Sequence, residues 1–387
     1  MIVNGEKRKK RPLLLVTIDP GPWGAGIRFN GICQALAAEF EVTTFFFNVK
    51  PYSQKPSANI FLSWLGSTPS WAKHATLIAQ EAFQEQLQEK IQTIEPALLL
   101  FSGTSILPFL TQKINTLTIL DAYDINWVRL KRQLTINTPL AFKRRLRVVL
   151  EVSLAKRYEG RKHALADEIW VCSDVDGSTI KKNGYTGQLQ IVPNFFPQNP
   201  NIRSVTQKEP TCTILFVGTM GYHPNRDGVT WFLRNCWRKI KQLQPEAQFW
   251  VVGKWPSWGQ PGSEYQQAGV QALGYIEDLT AVWQAADIFL CPLRIGSGTR
   301  IKILEAWANQ LPVLTTSIGI EGLLSEPGVN AIVEDEPAEF IQAIISLLQD
   351  LSLRQTIGKA GYETWRSHYT LENVRNKVLQ RCRELIR

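Results

Sequence analysis

The chain has 387 residues and a formal net charge of +9, with 44% hydrophobic and 20% charged residues. This length predicts two or three domains that each bury a core, and the composition excludes a disordered or fibrous protein. The longest clean apolar runs, such as residues 97–101, are far too short to cross a bilayer.

In the first half of the chain, strand-like and helix-like segments alternate. Apolar, β-branched or aromatic runs predict strands at 13–18, 42–47, 97–101, 117–120, 168–172 and 189–192. Periodic apolar positions predict helices at 26–40, 75–94 and 139–162, and the last of these has a proline in its first turn. This order is typical of a doubly wound α/β domain.

A proline-rich stretch without periodicity, residues 193–210, separates this half from a second alternation. Strands are predicted at 213–217, 248–252, 270–273, 288–293, 313–314 and 331–333. Helices are predicted at 225–243, 279–286, 301–308, 338–348, 353–369 and 371–386. We therefore predict one Rossmann-like domain over 1–195, a linker over 196–210, a second Rossmann-like domain over 211–368 and a terminal helical segment over 369–387.

The six cysteines are scattered and include no Cys-x-x-Cys pair, and the four histidines show no metal-ligand spacing. Most of the cysteines lie in or beside apolar runs, as small core residues do. The basic residues near the start are followed by an apolar run that soon reaches Asp19, which is not the pattern of a secretory signal. We therefore expect a cytoplasmic protein without a disulfide framework or a metal site.

One strand–loop–helix–strand unit, residues 286–322, is the most informative segment. Its first apolar run ends in the loop Gly296–Thr299, and a helix follows at once. The loop offers backbone N–H groups at a helix N-terminus, which is a natural phosphate site. Glu305 lies on the apolar stripe of this helix, where a carboxylate without a partner is costly. A nucleotide fits this layout, with its diphosphate at the loop and its ribose hydroxyls near Glu305.

Three segments together carry a resemblance to a known family. The sequence GSGTRIKILEA at 296–306 resembles the donor-binding signature of glycosyltransferase family four, the glycosyltransferase group 1 domain. The segment LFVGTMGYHPNRDGVTWFL at 215–233 is similar to the unit that opens the family's second domain. The segment LDAYDINWVRLKRQ at 120–133 looks like a first-domain segment of a subset of the family. The resemblance covers roughly the whole chain and is strongest over 212–325.

The resemblance implies the GT-B fold, in which two Rossmann-like domains face a central cleft. It implies that the second domain binds a nucleotide-diphosphate sugar, that the first binds the acceptor, and that the last helix packs toward the first domain. Transfer would retain the anomeric configuration and need neither a metal nor any cofactor besides the sugar nucleotide. By the same resemblance, Glu305 holds the ribose hydroxyls.

Two features of the second domain depart from the family pattern. An Arg and a Lys usually follow the domain's first glycine, here Gly218, and clamp the diphosphate, but Thr219 and Met220 stand there. Either Arg226, Arg300 or Lys302 takes over this role, since each can donate charge-assisted hydrogen bonds to phosphate, or donor binding is weak. Of the three, we favour Arg300 as the phosphate ligand. The usual first Glu, eight residues before Glu305, is replaced by Ser297. The donor sugar would then be held by the backbone at 296–298, with Gly298 and Thr299 completing the loop.

In the first domain, two places are candidates for ligand contacts. The loop from Gly21 to Gly26 precedes a helix that bears Arg28. The resemblance implies that this loop lies across the cleft from the donor phosphates, where Gly26 lets the backbone approach the donor, and the alternative is an ordinary strand–helix turn. Asp121 and Asp124 follow the strand 117–120, at the edge where doubly wound sheets bind ligands. We choose Asp124 as the catalytic carboxylate that touches sugar or acceptor, although it could instead cap the next helix.

The basic segment 129–162 carries eleven Lys or Arg and two acids, whereas the rest of the chain carries 32 residues of each sign. Such a face can bind anionic lipid headgroups in peripheral contact with a membrane, and the alternative is a solvated helix face. No nucleic-acid-binding motif accompanies the charge, so we do not expect a nucleic acid partner.

Two other functions remain open at the level of sequence. One is a sugar-nucleotide epimerase on the same architecture, which would act on the donor without an acceptor. The other is a degenerate member of the fold that binds a glycan or a protein partner and performs no chemistry. A redox or ATP-hydrolysing function is disfavoured, because the loop lacks the third glycine of a dinucleotide fingerprint and the Gly-Lys-Ser/Thr of a P-loop.

Overall fold

The computed structural model describes residues 10–18, 24–48, 69, 72, 77–134, 136, 142–197, 211–256 and 262–387. The chain divides into two compact units. The first unit comprises Met1–Leu134, Pro139–Pro193 and Val374–Arg387, and the second comprises Thr135–Thr138 and Asn194–Asn373. Most of the predicted linker, residues 198–210, lies outside the described residues, so its extent stays a prediction.

A parallel sheet of six strands forms the centre of the first unit, in the order β2-β1-β3-β4-β5-β6. Its strands are β1 (Pro12–Ile18), β2 (Glu41–Phe47), β3 (Leu98–Ser102), β4 (Thr118–Asp121), β5 (Glu168–Val171) and β6 (Gln188–Ile191). Residues 13–16 and 98–101 are wholly buried. Helices cover both faces of such a sheet, which explains why its central strands are continuous apolar runs rather than alternating ones.

The described helices of the first unit connect these strands. They are α1 (Gly24–Ala37), α2 (Leu77–Ile94), α3 (Asn126–Arg132), α4 (Phe142–His163), α5 (Asp174–Lys182) and α13 (Leu371–Leu385). A 3₁₀ segment, Thr104–Phe109, follows β3. Helix α5 was not predicted, because its stretch DVDGSTIKK is polar and contains a glycine. Ser173 caps this helix by accepting a hydrogen bond from the Asp176 backbone N–H.

The helix predicted at 26–40 begins two residues earlier than expected, so the predicted end of the preceding loop at Gly26 is wrong. Helix α1 begins at Gly24 and ends at Ala37, so Gly26 is a buried residue of its first turn. Residues 21–23 of the predicted loop lie outside the described residues. A glycine buried within a helix allows close packing of that helix, which is a structural reason for its presence.

A wholly buried ion pair joins α1 to β4. The Arg28 guanidinium donates through Nε and Nη2 to the Asp121 carboxylate, with an Nη2–Oδ1 distance of 2.5 Å, and both side chains are 0% exposed. Its Nη1 donates to the carbonyls of Val192 and Pro193, at 2.9 and 3.1 Å. Burial lowers the pKa of Arg28, but the charge and hydrogen bonds of Asp121 raise it by more. The pKa of Arg28 is therefore above its ordinary value, and the guanidinium stays charged. One side chain thus connects α1, β4 and residues 192–193, which end the unit's second segment.

The second unit contains another parallel sheet of six strands, in the order β12-β11-β10-β7-β8-β9. Its strands are β7 (Thr213–Val217), β8 (Gln248–Val252), β9 (Val270–Gly274), β10 (Ile288–Cys291), β11 (Val313–Thr315) and β12 (Ile332–Val333). Counted within this unit, the order is 6-5-4-1-2-3, which is that of the Rossmann fold. The strand order reverses between β7 and β10, and such a switch point is where doubly wound sheets bind ligands.

The described α-helices of the second unit are α6 (His223–Phe232), α7 (Arg238–Leu243), α8 (Thr280–Ala285), α9 (Ile301–Ala308), α10 (Ser317–Ile320), α11 (Pro337–Gln349) and α12 (Leu351–His368). The predicted helix 225–243 is continuous, but a π-helical turn, Leu233–Trp237, lies inside it. The buried rings of Phe232, Trp237 and Phe249 pack against one another beside this turn. Large aromatic side chains of this kind dominate the core on this face of the sheet.

Helix α13 is tied to the first unit by a second ion pair. The Arg381 guanidinium forms a bidentate pair with Glu168, at 2.6 Å from Nη2 to Oε2, and Glu168 is 1% exposed. Trp170 donates its indole N–H to the same carboxylate at 2.8 Å. The planar fork of Arg suits a bidentate contact, whereas Lys would supply only a point charge.

We expect Asp121→Asn to lower the free energy of unfolding by about 3–5 kcal/mol, because it leaves the Arg28 charge buried without its counter-charge. Lys113→Met breaks the ion pair between Lys113 and Asp167, in which the lysine side chain is 63% exposed. This change should lower the free energy of unfolding by no more than about 1 kcal/mol. Urea unfolding of both variants measures the difference. A cost for Asp121→Asn as small as that of Lys113→Met would contradict the structural role assigned to the buried pair.

Candidate functional site

The candidate site lies at the carboxyl ends of β7 and β10, which are neighbours in the second sheet. Gly218 follows β7 directly, and the loop 292–300 follows β10 and leads into α9. These two segments contain most of the donor-binding residues that the sequence predicts. The fold therefore brings them to one edge of one sheet.

Lys302 carries a positive charge from the first turn of α9 to the end of β7. Its Nζ donates to Asn225 Oδ1 at 2.9 Å and lies 4.3 Å from the centre of the Phe216 ring. A Cβ at Gly218 would come within 2.5 Å of this Nζ and 2.7 Å of Asn225 Nδ2. The absence of a side chain at Gly218 thus leaves the space that Lys302 occupies.

The surroundings of Lys302 tune its charge. Burial lowers the pKa of this lysine to about 8, and the charge of Arg300 acts in the same direction, while Cys291 and Glu305 oppose it. Lys302 is therefore mostly protonated at neutral pH, but with little margin. An anion that bound beside it would stabilise the protonated form.

Glu305 lies one turn further along α9 and is partly buried. Its Oε1 accepts a hydrogen bond from the Trp283 indole N–H at 3.1 Å. Burial raises the pKa of Glu305 to about 7, and the Trp283 hydrogen bond and the Lys302 charge limit the rise. The carboxylate can thus still accept hydrogen bonds from a ligand once it is ionised. Sequence reasoning missed Trp283, which lies 22 residues away on α8.

The glycine loop before α9 is held by Arg300, which is 8% exposed. Its Nη1 donates to the carbonyls of Ser297 and Gly298, the latter at 2.9 Å, and its Nη2 reaches the Ile318 carbonyl at 3.4 Å. Gly298 adopts a φ of 67°, which a residue with a side chain adopts only at a cost. Arg300 Nε is buried and has no hydrogen-bond partner among the described residues. The contacts show Arg300 supporting the loop, and its phosphate contact stays a prediction.

Asn194 is a loop-supporting residue that the sequence did not reveal. Its Nδ2 donates to Thr299 Oγ1 at 2.9 Å and to the Thr299 carbonyl at 3.3 Å, and the side chain is 4% exposed. Together with Arg300, it satisfies three successive loop carbonyls. The available signal was an amide between Pro193 and Phe195 in an otherwise apolar stretch, but nothing local linked it to a loop 105 residues away.

The remaining predicted residues of the second unit lie around this centre. Asn225 connects Lys302 to the turn after β7, because its Nδ2 donates to the Thr219 carbonyl at 2.9 Å. Arg226 is the next residue on α6, and its Nη1 lies 3.5 Å from the Met220 carbonyl. Thr219 is partly buried, and Ser297 is 8% exposed. Arg226 therefore lies near the turn, while Lys302 is the cation that reaches Gly218 itself.

Gly26, a donor-binding candidate, and Asp124, the catalytic candidate, both lie in the first unit, and their roles stay predictions. Asp124 follows β4, and its Oδ1 accepts a hydrogen bond from the Ile125 backbone at 2.9 Å. The residue that caps α3 is Ile125 rather than Asp124, and no side chain caps this helix end. Burial, together with the charges of Asp121 and Asp124, raises the pKa of the neighbouring Tyr123 phenol. Tyr123 is therefore neutral at physiological pH.

Among the residues that the structure describes, no group of three or more His, Cys, Asp or Glu side chains is arranged to hold a metal ion. None of the described helices is long and apolar enough to cross a membrane.

Comparison with known proteins gives a family match within the second unit. Residues 211–350 match the family model for glycosyl transferases group 1. An uncharacterized 44.6 kDa protein in the cps region of Klebsiella pneumoniae is 24% identical over 180 residues, which span 44% of this chain and 45% of that protein. The chain thus aligns with less than half of that relative's length.

Solved structures are similar to nearly the whole chain. Sucrose-phosphate synthase from Thermosynechococcus elongatus has a TM-score of 0.71 and 17% identity, over 97% of this chain and 99% of that one. HepE from Anabaena, solved in complex with UDP, has a TM-score of 0.65 and 15% identity, over 96% and 100%. A glycosyltransferase from Rickettsia africae has a TM-score of 0.66 and 13% identity, over 98% and 100%. Likeness at these identities establishes the fold.

The predicted resemblance to group 1 glycosyltransferases and the predicted fold class are thereby confirmed, while the finer assignment to family four stays a prediction. Residues 211–350 thus match the group 1 glycosyltransferases, and the fold of the chain is GT-B.

Proposed function

We propose that this protein transfers a sugar from a nucleotide-diphosphate sugar to an acceptor. The observation that carries the proposal is the pairing of Lys302 and Glu305, a cation and an acid one turn apart on α9 at the switch point of the second sheet. HepE binds UDP in one of its solved complexes and UDP-glucose in another. A sugar nucleotide is accordingly the ligand class that we assign to this site.

In this proposal, the two charged residues bind different parts of the donor. Lys302 would bind the diphosphate, since its ammonium lies beside Gly218 and near the start of α9. Glu305 would accept hydrogen bonds from the ribose hydroxyls, which are neutral donors that do not neutralise a carboxylate. Ser297, Gly298 and Thr299 would contact the donor sugar through the loop that Arg300 and Asn194 support.

The chemistry follows from where charge develops. Transfer breaks the bond between the anomeric carbon and a phosphate oxygen, so negative charge grows on the departing diphosphate. A preorganised cation in a partly dry site stabilises this charge more in the transition state than in the ground state. Lys302 and the N-terminus of α9 would supply this stabilisation, with Arg226 at the edge of the turn, and no cofactor or metal enters the proposal.

The acceptor side belongs to the first unit in this proposal. Asp124 would hold the acceptor hydroxyl or the sugar, because it follows β4 at the carboxyl edge of the first sheet. Retention of anomeric configuration is the outcome expected from the family, with the departing phosphate helping to deprotonate the acceptor. With Ser297 in place of the usual first Glu, the donor sugar depends on the loop backbone.

One experiment separates a transferase from an epimerase and from a binding protein. Nucleoside diphosphates should raise the melting temperature, because they bind only the folded protein. A transferase then releases nucleoside diphosphate in proportion to added acceptor, whereas an epimerase converts the donor without one. Binding with no turnover would identify a non-catalytic member.

Glu305→Gln is the matched variant for this experiment, since Gln keeps an acceptor for Trp283 but loses the charge. We expect it to fold and to lose most of the stabilisation by nucleotides. In the native protein, nucleotide affinity should fall as the pH drops below about 7, because the protonated carboxyl is a poorer acceptor. Unchanged nucleotide affinity in folded Glu305→Gln would refute the ribose assignment.

Lys302 and Arg300 can be separated by comparing a nucleoside diphosphate with its bare nucleoside in calorimetry. Lys302→Met should weaken diphosphate binding about ten- to a hundredfold, the equivalent of roughly 1.5–3 kcal/mol, and change nucleoside binding little. In the native protein, diphosphate affinity should decline as the pH rises above about 8, and Lys302→Met should abolish this decline.

Arg300→Ala gives the contrast. If Arg300 only supports the loop, both ligands should lose similar affinity. A loss confined to the diphosphate would show that Arg300 also contacts phosphate. Equal losses for both ligands in Lys302→Met would instead overturn the diphosphate role of Lys302.

We also propose that the first half of α4 contacts an anionic membrane. Leu146, Val149 and Leu150 form a stripe at helical spacing and are 50%, 43% and 40% exposed. Arg145 and Arg147 are exposed beside this stripe. An amphipathic helix with exposed apolar and basic residues is suited to the interface of a bilayer that carries anionic lipids. Such contact would place the protein at the cytoplasmic face of a membrane.

We expect the protein to sediment with vesicles that contain anionic lipid and to be released by high salt, since screening weakens exposed charges. Arg147→Gln should weaken binding about fivefold, and Leu150→Gln should weaken it as well. Leu243→Gln, which changes an exposed leucine in the second unit, is the matched control and should have no effect. No binding at low salt would show that this face is a solvated helix surface, and equal binding to neutral vesicles would show that anionic headgroups are not what it recognises.

A further inference from the structure

An ion pair beside the candidate donor site involves two residues that the predicted site does not include. Arg294, in the loop 292–300, donates through Nε and Nη2 to the two carboxylate oxygens of Asp227, at 3.1 and 2.8 Å. The two side chains are 26% and 15% exposed, so the pair is largely shielded from water. A bidentate contact fixes direction as well as distance. The pair therefore joins the loop that follows β10 to α6, the helix that follows β7.

Two further contacts join α6 to this loop. Trp231 lies four residues after Asp227 on the helix, and the guanidinium carbon of Arg294 lies 5.6 Å from the centre of its ring. Gly228 lies next to Asp227, and a Cβ there would come within 2.3 Å of the Pro292 carbonyl oxygen. The helix and the loop thus pack backbone against backbone, and the ion pair holds them at this close separation.

The other supports of the loop act from a different side. Thr316, which caps α10 after β11, donates from its hydroxyl to the Leu293 carbonyl. Arg300 and Asn194 hold the carbonyls further along the loop, including that of Thr299. Strand β11 lies on the opposite side of β10 from β7. These supports therefore fix the shape of the loop and its place beside β11, while the pair with Asp227 sets its separation from α6.

We propose that Asp227 and Arg294 are positioning residues, which set the separation between the turn at Gly218 and the glycine loop and so the fit of a diphosphate between them. Lys302 also connects these two segments through Asn225, but it is itself assigned to the ligand. A site whose two sides are fixed before binding loses less freedom when the ligand arrives. The inference rests on the proposed function in taking a nucleoside diphosphate as the ligand that spans both segments.

Asp227→Asn separates positioning from a direct effect of charge. If the pair positions the loop, its loss loosens the site and weakens diphosphate binding. If Asp227 acted only through its charge, removing a negative charge beside an anion site would strengthen binding. A direct contact of Arg294 with phosphate would also be strengthened, because the guanidinium would be released from its partner. The sign of the change in affinity therefore decides between these roles.

The first arm of the experiment measures backbone hydrogen exchange in the protein without ligand. Asp227→Asn and Arg294→Gln should each speed exchange at residues 293–300 about fivefold, because a loosened segment opens more often. Arg234→Gln is the matched control, since it breaks the pair between Arg234 and Glu264 about two turns further along the same helix. Unchanged exchange in either variant, or an equal rise in the control, would overturn the inference.

The second arm uses calorimetry with whichever of UDP, GDP and ADP raises the melting temperature most, and with the corresponding bare nucleoside. Asp227→Asn and Arg294→Gln should each weaken diphosphate binding about tenfold, the equivalent of about 1.4 kcal/mol. Nucleoside binding should change little, because in the proposed function the nucleoside contacts Glu305 on α9 and does not span the two segments. Arg234→Gln should change neither affinity.

Tighter diphosphate binding in Asp227→Asn would overturn the inference, as would unchanged diphosphate affinity in a variant whose loop exchanges faster. The second result would leave the pair a merely structural role. A native protein that binds none of the three diphosphates would instead refute the proposed function. The exchange arm needs no ligand, so it would still decide whether Asp227 and Arg294 position the loop.

Discussion

In a parallel sheet, every strand ends at the same edge, and this constraint concentrates polar residues at one side of each unit. Where the strand order reverses, two neighbouring strands send their connections to opposite faces and leave a gap at their ends. In the second unit, the gap lies between Gly218 and the loop before α9. The polar groups that could contact a ligand there are held in place by hydrogen bonds with Asn225, Trp283 and Asn194.

Burial is what gives these groups their chemical character. Lys302 and Glu305 are each shifted toward neutrality by the loss of water, so both lie close to their titration points at physiological pH. A ligand that supplies the missing charge or hydrogen bonds stabilises the ionised forms of both. Glu159, on α4 of the first unit, shows the same effect, since burial and the charge of Asp124 raise its pKa to about 8. Perturbed groups of this kind are typical of functional sites.

The sequence predicted local features well and distant contacts poorly. The unit from β10 through α9 to β11 could be predicted because its pattern is continuous in the chain, and Glu305 was evident as an acid on an apolar stripe. The hydrogen bond between Lys302 and Asn225 joins residues 77 positions apart, and no local sequence pattern predicts it. Helix α5 was missed because its residues are polar and it depends on the Ser173 cap. Burial of Glu159 likewise depends on how α3 packs against α4.

The assignment of Val374–Arg387 to the first unit means that the chain leaves that unit and later returns to it. Neither unit is therefore a single contiguous stretch of sequence, and a cut at one point cannot yield an intact first unit. A fragment that ended before α13 would lack the Arg381 partner of Glu168 and leave that carboxylate buried without its counter-charge. Protein engineers who wish to exchange the second unit between relatives would have to replace an internal segment, with two junctions chosen together, rather than join two halves end to end.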